Sequence, residues 1–234
     1  MKVRVKFSKE GAMKFIGHLD VMRYFQKAMR RAEIDMCYSE GFSPHMIMSF
    51  ASPLGLGLES DGEYMDISVK QSPSSKEAVE RLNAVMAEGI EVLSWRELPE
   101  NSKNAMASVA GADYEVRFRE GYELEEGWKK KLEEFLALPE IRIMKETKKG
   151  EQEVDIRPWV YDYHIKDQTI FLKVSAGSVH NLKPELLLKA FGDWAGVEIP
   201  AFALLICRKE MYADEGSETE RKLVALEELG EEIG

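Results

Sequence analysis

Two cysteines, four histidines and no long apolar stretch leave this 234-residue chain few of the usual routes to chemistry. Cys37 and Cys207 stand far apart without a Cys-x-x-Cys spacing, so neither a disulfide framework nor a zinc ribbon is expected. The three-cysteine cluster of a radical SAM enzyme is missing, and no Gly-x-Ser-x-Gly or His-Glu-x-x-His marks a nucleophile or a zinc site. No cofactor or metal is therefore expected. The glycines of "LGLGLESDGE" lack both the Gly-x-Gly-x-x-Gly spacing and the Lys-Ser/Thr ending of a nucleotide loop. No run of about 18 apolar residues offers a membrane span, and the opening "MKVRVKFSK" alternates like a strand instead of leading into a signal peptide. A soluble cytoplasmic protein is the expectation.

Apolar residues make up 44% of the chain, enough for a real core in one large or two small domains. The net charge of -10 argues against nucleic-acid binding over the whole surface. The charge is uneven. Met1 to Phe50 carry nine Lys and Arg against five Asp and Glu, a balance of +4 that leaves -14 on the rest. A basic patch near the start of an acidic protein is compatible with that distribution. The closing "ADEGSETERKLVALEELGEEIG" reads as an acidic, frayed tail, with an amphipathic turn docked through Leu226, Leu229 and Ile233 as the alternative.

Periodicity supplies the elements. Val3, Val5 and Phe7 alternate with Lys and Arg, as in a strand with one wet face. A helix over 19–32 follows, with Leu19, Met22, Phe25 or Ala28, and Met29 inward and a cationic stripe of Arg23, Lys27, Arg30 and Arg31 outward. "HMIMSFA" and "EYMDISV" read as strands, "SSKEAVERLNAVMAEG" as a Ser-capped helix stopped by Gly89, and "IEVLSWREL" as a strand. The order β-α-β-β-α-β is the split β-α-β pattern. It recurs in the second half with an extra strand. The predicted fold is thus α+β: two tandem ferredoxin-like units with antiparallel sheets and helices on one face. The predicted bounds are 1–98, a linker over 99–112, a second unit over 113–212 and the tail over 213–234.

Candidate functional residues cluster early. His18 and Asp20 stand at the start of the basic helix, where the free amides suit an anion or a neutral imidazole. His45 follows Pro44 in the turn "GFSPH". Four cations along one helix can match successive phosphates, and Tyr38 and Phe42 can stack on bases, although a solvated face and core plugs are the structural alternatives. Gly57 lets a loop pass close to a neighbour. Later, Lys145, Lys148 and Lys149 flank a turn at Gly150, and Asp155 with Arg157 precede Pro158, which presents Arg157 to a partner or leaves it in a surface pair.

The stretch "FIGHLDVMRYFQKAMRRAEIDMCYSEGFSPHMIMSFASPLGLGLESDGEYMDI" resembles the N-terminal signature of the radical SAM-linked proteins, a domain family of unknown function. The resemblance rests on Phe15, His18, Leu19, Asp20, Arg23, Arg30, Arg31, Ala32, Tyr38, Ser39, Gly41, Phe42, Pro44, His45, Pro53, Leu54, Gly57, Ser60 and Glu63. Gly17, Ser43 and Met46 depart from the pattern, and "KKGEQEVDIRP" and "NLKPELLLKAF" extend it. The resemblance implies partnership with a cobalamin-binding-type radical SAM protein, and RNA or ribosome components as the shared target. It implies Ser39 and Glu63, beside the residues above, as RNA or substrate contacts. Three functions stay open. The first is a non-catalytic accessory protein that holds RNA or substrate for a radical SAM enzyme. The second is an RNA-processing enzyme with His18 and His45 as an acid-base pair, and the third is a protein-interaction scaffold using the tail or the "PLGLGL" loop.

Overall fold

The computed structural model describes residues 1–147, 150–217 and 220–234, so Lys148 and Lys149 lie outside the described residues. The order begins β1 (Lys2–Lys9), a 3-10 turn over Gly11–Phe15, α1 (His18–Arg31), β2 (Met48–Phe50), β3 (Glu59–Ser68), α2 (Ser75–Asn83), β4 (Ile90–Leu98), α3 (Ala105–Ser108) and β5 (Val109–Phe118). It continues α4 (Trp128–Leu136), β6 (Arg142–Thr147), β7 (Gly150–Asp155), β8 (Val160–Lys166), β9 (Thr169–Ser175), α5 (Pro184–Ala195), β10 (Leu204–Asp214), β11 (Leu223–Ala225) and β12 (Glu231–Glu232). The architecture is α+β, with a large, mostly antiparallel sheet and few helices. Among the described residues no helix is long and apolar enough to cross a membrane.

The chain forms two compact units, Met1–Ala112 with Arg208–Gly234, and Asp113–Cys207. In the first, β1 lies between β4 and β3, antiparallel to both, and β2 pairs antiparallel with β3. Val3, Val5 and Phe7 of β1 turn to the helix-covered face, where Val21, Phe25 and Met29 of α1 and Ala78 and Leu82 of α2 close the core. Each Val, Leu, Phe or Met side chain among these, taken fully from water, stabilises the fold by about 1.5–3 kcal/mol. α1 starts one residue earlier than its periodicity suggested, and Val21 takes the inward place expected of Leu19, which is 60% exposed. Ser74 caps α2 as expected, its Oγ accepting from Glu77 N.

The other face of β1 is not wet. Arg4 is 1% exposed, its guanidinium donating to both Asp66 oxygens at 2.8 and 3.0 Å and to Leu226 O at 3.1 Å. Lys6 Nζ lies between Glu210 at 2.7 Å and Glu227 at 2.6 Å. The residues that cover this face come from the segment expected to fray. Leu226 is fully buried, β12 pairs with β4, and Ser75 N donates to Ile233 O at 2.9 Å. Acidic composition suggested a solvated tail, but Arg4 and Lys6 give its carbonyl and carboxylate defined partners. The expected linker is structured too: Ala105 N donates to Asp66 Oδ2 at 2.6 Å, and β5 begins at Val109.

In the second unit β8 and β9 form an antiparallel hairpin and β5 lies on the other side of β9, while β6 and β7 make a separate two-stranded sheet. The stretch "EVDIRPWVYDYHI" contributes to two strands, β7 and β8. Pro158 cannot donate to a ladder, and a 3-10 turn over Arg157–Trp159 interrupts pairing there. α4 and α5 meet through Phe135, whose ring centroid is 5.7 Å from that of Phe191 and 5.6 Å from that of Trp194.

Candidate functional site

The period of two that buries Val3, Val5 and Phe7 places Lys9 on the same face of β1. Glu63, Met65 and Ile67 share one face of β3 by the same rule. Glu63 accepts Arg208 Nε at 2.8 Å and Nη2 at 2.7 Å, a bidentate pair closed off from water on both sides. Arg208 Nη2 also donates to Ser52 O at 3.1 Å, and Ser60 Oγ donates to Arg208 O at 3.0 Å. Lys9 Nζ donates to Ile16 O at 2.8 Å. Burial pushes the Lys9 ammonium below its ordinary value; the Glu63 carboxylate opposes that shift and Arg208 adds to it. His18, Phe7, Phe50 and Leu54 join Lys9 and Glu63 around a cavity of about 20 Å³, room for one water molecule.

His18 is half-buried at the first position of α1, its ring edge-to-face on Phe50 with centroids 5.1 Å apart. Asp20 is exposed and bonds Arg23 at 3.2 Å, a surface pair of little energetic weight. His45 belongs to a different setting. The loop 38–46 is pinned at its base, where Cys37 N donates to Ser68 O at 2.8 Å and Ile47 N to Cys37 O at 3.0 Å. Within it Ser39 N donates to His45 O at 2.9 Å, His45 N donates to Ser39 Oγ at 3.1 Å, and His45 Nδ1 lies 2.8 Å from the same hydroxyl. Tyr38 bridges to Met46. Gly41, with φ +106°, turns the tip and leaves Phe42 at a relative exposure of 110%. Among the described residues no hydrogen bond or ring contact joins His18 to His45. An acid-base pair needs both rings on one reacting group.

Arg23, Lys27, Arg30 and Arg31 are all exposed along α1, as their spacing suggested. Phe42 and Tyr38 point outward and do not plug the core. Glu63, expected among the RNA or substrate contacts, is a correction: at 4% exposure and held by Arg208, it organises the interior. Gly57 takes φ +83° and donates to Lys14 O at 2.9 Å, while a Cβ there would meet nothing. Its turn, and not a close approach, requires glycine. In the second unit Arg157 Nη1 donates to Val160 O at 3.1 Å, and Arg157 N donates to Asp155 Oδ1 at 3.0 Å. The guanidinium thus braces its own turn. His180 stacks on Trp159 and His164 on Phe171, with centroids 4.9 and 4.4 Å apart. Among the described residues no group of three or more His, Cys, Asp or Glu is placed to hold a metal.

Sequence reasoning missed Lys9 and Arg208. Lys9 was findable, since it continues the buried parity of Val3, Val5 and Phe7. Arg208 was not, because its partner lies 145 residues away.

A family model described as "Uncharacterized protein conserved in bacteria (DUF2344)" matches residues 2–184. No curated protein matches. Among solved structures, a chain from "Crystal Structure of a Cbf5-Nop10-Gar1 Complex" is similar at 12% identity and a TM-score of 0.48, over 89% of this chain. The match takes in 48% of that chain, so this protein spans about half its length.

Proposed function

We propose that this chain, which belongs to the bacterial DUF2344 family, is a non-catalytic module that holds RNA for a radical SAM enzyme. Phe42 carries the reading. A phenyl ring left wholly in water adds nothing to the fold, yet the loop beneath it is fixed by hydrogen bonds at its base and across its middle. An aromatic ring on a firm support is what base stacking uses, and it is sequence-tolerant. The cations Arg23, Lys27, Arg30 and Arg31, on the helix that leads into this loop, supply charge for phosphates. Tyr38 offers a second ring, and Ser39 and His45 stiffen the support.

The radical SAM partner and its RNA or ribosomal target come from the family resemblance of the stretch from Phe15 to Glu63. A cytoplasmic location belongs to the same reading. The strand order β4-β1-β3-β2 in the first unit and β5-β9-β8 in the second supports two ferredoxin-like units, the second carrying the β6–β7 hairpin as an insertion.

Single-stranded RNA binding by fluorescence anisotropy tests the proposal. Phe42→Ala should weaken binding roughly 5- to 150-fold, the equivalent of one lost base stack. Arg23→Glu with Arg30→Glu should weaken it further and flatten its salt dependence. Binding that neither change alters would remove both surfaces from the function.

A second reading, docking to a protein, is favoured by one observation. Phe15, Leu19 and Leu56 are each at least 60% exposed, and Gly57 N bonded to Lys14 O ties the "PLGLGL" loop to the turn that carries Phe15. Capture of the radical SAM enzyme that fails with Phe15→Ser and Leu56→Ser, while RNA binding persists, would favour it.

A further inference from the structure

A cleft of about 810 Å³ in the second unit is absorbed by none of the functions above. Its lining includes the apolar Leu186, Ile199 and Pro200 and the polar Lys145, Asn181, Lys183 and Glu185. Lys189 and Asp193, also in the lining, form an exposed pair at 2.7 Å, and Glu198 adds a second carboxylate at the cleft. Lys145 is held from below: its Nζ lies 5.0 Å over the Trp159 ring, and Trp159 stacks on His180, next to Asn181. The Glu185 Oε2 atom is shielded from solvent and has no hydrogen-bond partner among the described residues. A buried carboxylate oxygen without a donor is uncommon and calls for one. The last torsion of a glutamate is soft, so a partial turn of the carboxylate brings both oxygens to the cleft.

The geometry points to a guanine-nucleotide site, in which Glu185 reads the base and Lys145 with Lys183 hold the phosphate. The size suits a nucleotide, since small-molecule sites run to several hundred Å³ with mostly apolar walls and a few placed polar groups. The base class follows from hydrogen-bond polarity. Guanine presents two adjacent donors on one edge, N1–H and the 2-amino group, which a carboxylate accepts together. Adenine and cytosine set an acceptor nitrogen beside their amino group, and uracil flanks its N–H with two carbonyls. Each of these turns a lone pair toward Glu185. Leu186, Ile199 and Pro200 supply a surface for the flat base.

The site does not depend on the RNA reading, because the free nucleotide tests it. Titration calorimetry of the full chain with GMP, AMP, CMP and UMP should give GMP the tightest binding, roughly 5- to 150-fold over AMP. Glu185→Gln, nearly isosteric, should abolish that preference while leaving the thermal midpoint in place. Lys145→Gln should weaken GMP and leave guanosine unchanged. Four nucleotides bound alike, no binding at about 1 mM, or a GMP preference that survives Glu185→Gln would each overturn the assignment. The source of the base is read separately in the Arg23→Glu, Arg30→Glu protein. An oligouridine carrying one guanine that displaces GMP marks an RNA base as the ligand; displacement only by free nucleotides marks a small molecule.

Discussion

Replacing Glu63 by leucine would leave Arg208 buried without its carboxylate, with the Lys9 ammonium close by. The loss can be worked two ways. Two charge-assisted hydrogen bonds at about 1.5–3 kcal/mol each give about 3–6 kcal/mol. Breaking one side of a buried pair gives about 3–5 kcal/mol by direct comparison. Both are a large part of the roughly 5–15 kcal/mol that holds a domain folded. The double change Glu63→Leu with Arg208→Met should recover most of the loss, because an apolar replacement of a whole buried pair is often neutral. A residue of about 1–3 kcal/mol should remain, since Ser52 O loses its donor. Adding Lys9→Met to Glu63→Leu alone should recover part as well, by removing the second buried charge. Urea unfolding gives the free energies, and an unchanged slope would show that the unfolded state is not the cause. A single-variant loss below about 1 kcal/mol, or a double variant as unstable as the single one, would refute the reasoning.

Leu226→Ala should destabilise the first unit by about 2–5 kcal/mol, read as a lower thermal midpoint, because that side chain is fully enclosed. The segment should also respond to pH at both ends. Burial opposes ionisation of Glu227, but its hydrogen bond and charge pairing with Lys6 win and hold the carboxyl below its ordinary 4.5. That contribution is present above about 4.5 and fades as pH falls through the folded value. Lys6 runs the opposite way. Burial lowers it, Glu210 and Glu227 outweigh burial and raise it above its ordinary 10.5, and its contribution fades as pH rises through the folded value. The protection of the Ile233 amide against hydrogen exchange, taken relative to the unfolded-chain rate at each pH, should therefore fall at both extremes, and Lys6→Met should remove that dependence; protection that stays constant with pH in the parent chain would count against it. Gly62→Ala should cost more than about 1 kcal/mol, since a Cβ there would lie 2.6 Å from Lys209 O and 2.9 Å from Glu210 Cα, both backbone. An unchanged unfolding midpoint would mean the two strands part more easily than their spacing implies.

Local patterns were legible where one element decides the outcome. The alternation of β1, the cationic stripe of α1, the Ser74 cap and the turn at Gly41 follow from a few neighbouring residues each. What failed to show was the state of a face that distant residues cover. Arg4 and Lys6 read as wet because nothing near them in sequence says that Leu226 and Glu227 return to enclose them. The same distance hid Arg208 from Glu63, whose place in the signature suggested a surface role. Pro158 was visible as a strand breaker, yet its consequence, a separate β6–β7 sheet, depended on pairing partners that periodicity does not name. For the site, the exposed row from Arg23 to Arg31 was legible, whereas the cleft around Glu185 draws on β6, α5 and the loops flanking α5, and "NLKPELLLKAF", which carries Asn181, Lys183 and Glu185, does not say that they meet Lys145.

The partners of Glu63 and Arg4 also set a timetable for synthesis. Arg208 is made 145 residues after Glu63, and Leu226 222 residues after Arg4. At roughly 5–20 residues per second, those intervals last from about 7 s to 45 s on a translating ribosome. The second unit, contiguous from Asp113 to Cys207, can close as soon as it emerges. Through that interval the first half of the nascent chain carries an acid without its arginine and a strand without its cover, which makes it the part a holdase would grip and a protease would find.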